Sequence, residues 1–151
     1  MTSAVFAFLH YLGAFALMAG LVLELVLLRL PLTPATGKRI LGADLVVGIA
    51  AVIVLAAGLL RVFYFEKGPD YYAHSAPFIA KMVLFALVFA LSITPTIEFL
   101  SWRKTLKAGQ APVVAEARIK RLRRLIHMEL TGLVLIILAA TLMAHGIGYF
   151  G

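Results

Sequence analysis

Four long apolar runs, separated by short polar stretches, set the pattern of the chain. The first covers Ala4–Leu30 and stops at Pro31. At ~1.5 Å per residue it makes a helix of ~40 Å, enough to cross a bilayer with some tilt. The stretch Pro31–Ile40 holds two prolines, Gly37, Lys38 and Arg39, and reads as a loop. A second run covers Leu41–Phe65. Gly68 and Pro69 mark a turn in the loop that follows, Glu66–Ala76. Ser75 and Pro77 form a start signal for the third run, Pro77–Ser101, with Trp102 at interface depth. A basic connection, residues 102–124, leads to the fourth run, Leu125–Gly148. Inside that connection Pro112–Arg124 reads as helical, with Pro112 first and Glu116–Lys120 as an i,i+4 pair. The pattern predicts a single all-α domain over 1–151, an integral membrane four-helix bundle.

Composition strengthens this reading. Hydrophobic residues make up 63% of the chain and charged residues only 14%, whereas a soluble domain has about a quarter charged. No cysteine is present, which excludes disulfides and thiolate metal sites. The net charge of +7 is a topology signal rather than a nucleic-acid footprint, because eight of the fourteen basic residues fall in the last connection. Positive-inside placement predicts a bacterial inner-membrane protein with both termini and the second loop in the periplasm. The start lacks a basic segment and the first run is too long for a signal-peptide core, so it is expected to be a retained helix. The expected partners are the lipid bilayer and a homo-oligomer or membrane redox partner.

Ionisable residues inside the apolar runs carry the chemistry, because groups placed there at a cost face a bundle interior or a site. They fall into two layers. His10, Arg61, Lys81 and His145 lie towards the termini, with His74 above them; Glu24, Asp44, Glu98, His127 and Glu129 lie towards the basic loops. His10 and Glu24 share one stripe of the first helix. On the fourth helix, His127, Thr131, Val134, Leu138, Thr141 and His145 share another. Facing imidazoles from His10 and His145, or His10 and His74, would ligate a b-type haem iron. Gly13, Gly58, Gly146 and Gly148 would make room for the macrocycle, and Arg61 and Lys81 would hold its propionates. Copper is the rival metal, with His10, His145 and the thioethers of Met18, Met82 or Met143. A third reading is structural: the glycines serve helix packing, His127 and His145 mark the membrane boundaries, Arg61 pairs with Glu66 or Asp70, and Glu24 pairs with His127.

The segments FLHYLGAFALMAG and GLLRVFYFEKGPDYYAHSAPFIAKMVLFALVFALSITPTIEFLSWR resemble an uncharacterised bacterial family of small four-helix membrane proteins. That family is distantly similar to CopD-type membrane domains and to HemJ-type protoporphyrinogen IX oxidases. The shared features are His10, the Arg61-Val-Phe63-Tyr64 end of the second helix, and Pro77 followed by Lys81. The resemblance implies that His10 and Lys81 are functional, and that the protein handles haem b or a related tetrapyrrole in redox chemistry. Two features depart from the HemJ-type pattern. No histidine closely follows the arginine segment, unless His74 replaces it, and Phe78 stands where a tryptophan is usual. The sequence thus predicts a haem-binding redox protein, with Arg61 and Lys81 as catalytic or propionate-holding groups. The alternative is a non-enzymatic subunit or an ion or copper transporter.

Overall fold

A computed structural model describes residues 1–151. Helix α1 (Thr2–Leu27) runs from the end that carries both termini to the opposite, basic end, and α2 (Pro34–Leu60) returns. A π-helical turn, Arg61–Phe65, extends α2. The short α3 (Pro69–Ala73) sits at the termini end, where Tyr71 stacks on Tyr149, and α4 (Ala76–Ser101) descends again. At the basic end come the one-turn α5 (Arg103–Lys107) and then α6 (Glu116–Ala144), which climbs back. The spans Thr2–Leu27, Pro34–Phe65, Ala76–Lys107 and Glu116–Ala144 are long and apolar enough to cross a membrane. The expected all-α membrane bundle is present.

Local chemistry explains where the observed ends differ from the expected ones. The supposed loop Pro31–Ile40 is mostly helix, because Thr33 caps α2: its Oγ1 accepts the Thr36 N–H at 3.1 Å, and Pro34 fills the first helical position. The first helix stops at Leu27 rather than Leu30, since Pro31 pushes the residue before it out of the helical region. Pro112 does not begin a helix; residues 111–115 are non-helical and α6 starts at Glu116. At its other end, α6 stops at Ala144, and Gly146 and Gly148 form the closing turn with φ of 71° and 78°. Pro95 is buried within α4, which continues past it to Ser101.

Two antiparallel pairs build the bundle. Helix α1 packs along α2 and α4 along α6, while the contacts of α1 with α6 and of α2 with α4 are sparser. Close approach within each pair depends on glycine. A Cβ on Gly20 would sit 2.6 Å from Val47 Cγ2, and one on Gly132 would sit 2.4 Å from Val88 Cγ2. This is the small-residue packing expected of membrane helices. The core is densest in the basic half, where Leu21, Ile40, Phe99, Leu106, Leu122 and Ile126 are almost completely buried. Glu98 fastens that end: it accepts the Trp102 indole N–H at 3.2 Å and pairs with Arg118 on α6 at 3.1 Å.

Candidate functional site

The half of the bundle nearer the termini is more loosely filled. A cavity of about 580 Å³ opens there between the two pairs, with walls from α1, α2, α4 and α6. Its lining is mostly apolar, including Met18, Val54, Phe85, Leu133 and Ile136; the polar exceptions include His10, Lys81 and Thr141. Tyr11, Phe15 and Ile137 belong both to this wall and to the exposed outer surface of the bundle, so the cavity opens sideways at membrane depth.

His10 is held in a defined orientation. Its Nδ1 lies 2.9 Å from the Val54 carbonyl oxygen. A carbonyl only accepts, so Nδ1 carries the proton and Nε2 keeps its lone pair. This is the backbone-carbonyl anchoring common to metal-ligating histidines. Gly58 makes the orientation possible. A Cβ there would approach His10 Cε1 to 3.1 Å and Nδ1 to 3.2 Å. Gly58, expected to give space to a macrocycle, gives it to the imidazole ring instead.

Lys81 is largely withdrawn from water, its ammonium 5.4 Å from the Phe78 ring centroid, and it forms no ion pair. The charges of Lys81, Arg61 and Glu66 all act on His10. Arg61 is already engaged: its guanidinium pairs with Glu66 and lies 5.6 Å from the centre of the Tyr11 ring. The π-helical turn explains the pair. Residues five apart lie ~140° from each other around an α-helix, whereas the i→i+5 register of a π turn closes that gap.

A family model described as "Predicted membrane protein (DUF2214)" matches residues 2–148. The chain belongs to this family. No curated protein and no solved structure matches it.

In this DUF2214 chain, Glu66 joins the π-helical turn to α3 by accepting from both Arg61 and the Tyr72 hydroxyl. Burial opposes its charge, but the Tyr72 hydrogen bond and Arg61 outweigh burial and hold Glu66 below the ordinary carboxylate range. Burial and the same carboxylate push the Tyr72 phenol up. A carboxyl whose folded pKa lies below its unfolded value stabilises the fold above the unfolded value and loses that contribution as pH falls through the folded one. Glu66→Gln is therefore expected to lower the unfolding temperature at pH 7. The gap from the parent protein should close as the pH falls below about 4, measured by circular dichroism in detergent.

The remaining histidines stand apart from the cavity. His145 caps the end of α6, is exposed, and turns its Nδ1 to the Thr141 carbonyl at 2.9 Å. His74 lies in the loop before α4, with Nδ1 2.9 Å from the Asp70 carbonyl and its ring edge-on to Phe150. Neither lines the cavity, so the expected axial pair of His10 with His145 or His74 is not assembled. The reason is rotational. His127, Thr131, Val134, Leu138, Thr141 and His145 do share one stripe of α6, but all six are exposed, and Thr141 alone among them reaches the cavity lining. The inner face carries Leu122, Ile126, Glu129, Leu133 and Ala139 instead. The expected Glu24–His127 ion pair is likewise absent, with Glu24 buried inside and His127 outside. No group of three histidine, cysteine or acidic side chains is arranged to hold a metal ion. Sequence reasoning missed Tyr11 and Tyr72, which carry no motif signal of their own; Tyr72 is hinted at by its closeness to Glu66 along the chain, whereas Tyr11 meets Arg61 only through the fold.

Proposed function

We propose that the cavity binds a flat, mostly apolar molecule bearing a carboxylate, namely b-type haem or a related tetrapyrrole, and that the protein uses it in redox chemistry. The observation that carries this reading is that His10 and Lys81 both line one apolar cavity, the first with a free ring lone pair and the second in no ion pair. His10 would hold the iron through Nε2, the nitrogen left free by the Val54 hydrogen bond. Lys81 suits a propionate, which would neutralise it away from water. Arg61, held by Glu66, adds positive field at the same end. A bound haem would supply one-electron chemistry; the chain's own share is to orient the ring, hold its carboxylate and exclude water. The sequence resemblance to HemJ-type oxidases supports an enzymatic form of this reading, with Lys81 and Arg61 at the substrate carboxylates. The clustering of basic residues supports a bacterial inner-membrane setting with the termini in the periplasm.

A second reading has one observation in its favour. Met18 and Met82 share the cavity wall with His10, and thioethers with imidazole suit Cu(I). One preparation tests both. Protein purified in detergent from haem-sufficient cells is expected to show a Soret band and a reduced-minus-oxidised α band. A colourless protein that stays colourless with added haemin overturns the haem reading. Copper that co-purifies in stoichiometric amount with that colourless protein, and is lost in Met18→Leu, favours the second.

A further inference from the structure

The basic half of the bundle holds a second set of groups, which the cavity does not use. Glu24 on α1 and Glu129 on α6 are each 1% exposed, and Asp44 on α2 is 8% exposed. The charge of Asp44 acts on both glutamates, and that of Glu129 acts on Glu24. No lysine, arginine or histidine is among the groups whose charge acts on any of the three. Oε1 of Glu24 and Oε1 of Glu129 are both buried and lack any hydrogen-bond partner. Asp44 alone is satisfied, by the Thr96 hydroxyl of α4, which donates at 2.7 Å. Each spanning helix therefore contributes one polar side chain to this place. Of the nearby ionisable groups, Glu98 is turned to Trp102 and Arg118, and His127 to the Arg123 carbonyl on the outer face. Arg123 on α6 also has a buried, unpartnered Nε, but it is not among the groups whose charge acts on the three carboxyls.

Three carboxylates cannot share an interior of low dielectric without a cation, because each loses its hydration and each repels the others. Packing alone does not account for them, since apolar side chains of the same size would fill the space without that cost. The two unpartnered oxygens are buried acceptors that await a positive partner. The side chains do not form a ligand cage for a metal ion, and the cation that needs no cage is the proton. Glu24 is also three residues from the end of α1, within one turn of the basic end of the bundle.

We propose that Glu24, Asp44 and Glu129 form a membrane-embedded proton-binding site, with Thr96 orienting Asp44, that exchanges protons with water at the basic end. Each proton taken up neutralises one carboxylate and its release restores the charge, with no other reactant consumed. The site is independent of any ligand in the cavity.

Infrared spectroscopy of the full chain in lipid nanodiscs tests this. The other four carboxyls, Glu66, Asp70, Glu98 and Glu116, are exposed or paired with arginine or lysine, so a protonated-carboxyl stretch at neutral pH reports the triad. Such a band is expected. It should shift in heavy water, weaken in Glu24→Gln, Asp44→Asn and Glu129→Gln, and stay the same when sodium replaces choline. The proposal fails if the band is missing at neutral pH, or if it does not shift in heavy water, which would mean sealed packing acids. It also fails if sodium abolishes the band, which would mean a metal-ion site, or if all three variants keep it at full strength. The parent spectra decide the matter even if a variant does not fold, and none of these readings depends on haem.

Discussion

His10→Ala is expected to remove the Soret band of the haem-loaded protein and leave the bundle folded. The structural cost of the change is small. It deletes one side-chain hydrogen bond, to a carbonyl that already lies within α2, and such a bond contributes about 1 kcal/mol. The ring is only half-buried and borders an existing cavity, so its removal enlarges a space rather than opening one in the dense core. Against this stands the loss of the one imidazole on the cavity wall. His145→Ala, which alters an exposed helix cap, is expected to leave the spectrum unchanged. The two variants together separate ligation from architecture. If His10→Ala keeps the parent spectrum and loses several degrees of unfolding temperature, His10 is a packing residue and the haem proposal loses its ligand.

The second large effect is expected at Gly132, where α6 meets α4. An alanine methyl would lie 2.4 Å from Val88 Cγ2, far inside van der Waals contact. Val88 is itself buried, and a valine in a helix has one strongly preferred rotamer, so it cannot swing aside. The helices must separate. Overpacking of this kind costs about 1–3 kcal/mol, against up to about 1 kcal/mol regained from the better helix propensity of alanine. Thermal or denaturant unfolding in detergent should show the loss. Adding Val88→Ala should restore most of it, because the second change removes the atom in conflict. If Gly132→Ala matches the parent in stability, α4 and α6 do not approach as closely as described.

The spans were readable because an uninterrupted apolar run of membrane length has few other fates. The ends were less so. Thr33 and Pro34 carry a cap signature, yet the prolines and Lys38-Arg39 read more strongly as a loop. The six-residue stripe on α6 was also readable as periodicity, but its direction was not. In lipid the outward face is as apolar as the inward one, so hydrophobicity no longer points to the interior. The better indicator was Glu129, since a carboxyl is the group least able to face lipid. Glu24 and Asp44 follow the same rule. Layer and helix order group His10, Arg61, Lys81 and His145. The charges of Arg61 and Lys81 do reach His10, whereas His145 stands apart. The Arg61–Glu66 pair is one option among two in the sequence, because a π register leaves no mark there.

The sideways opening of the cavity changes what sets its occupancy. Tyr11, Phe15 and Ile137 connect its wall to the surface that faces acyl chains. A molecule that partitions into the bilayer therefore meets His10 at its membrane concentration, not its far lower aqueous one. Modest intrinsic affinity then suffices to fill the site. Apparent binding strength should follow the lipid-to-protein ratio of the preparation, and dilution into excess detergent should lower the occupancy of the site.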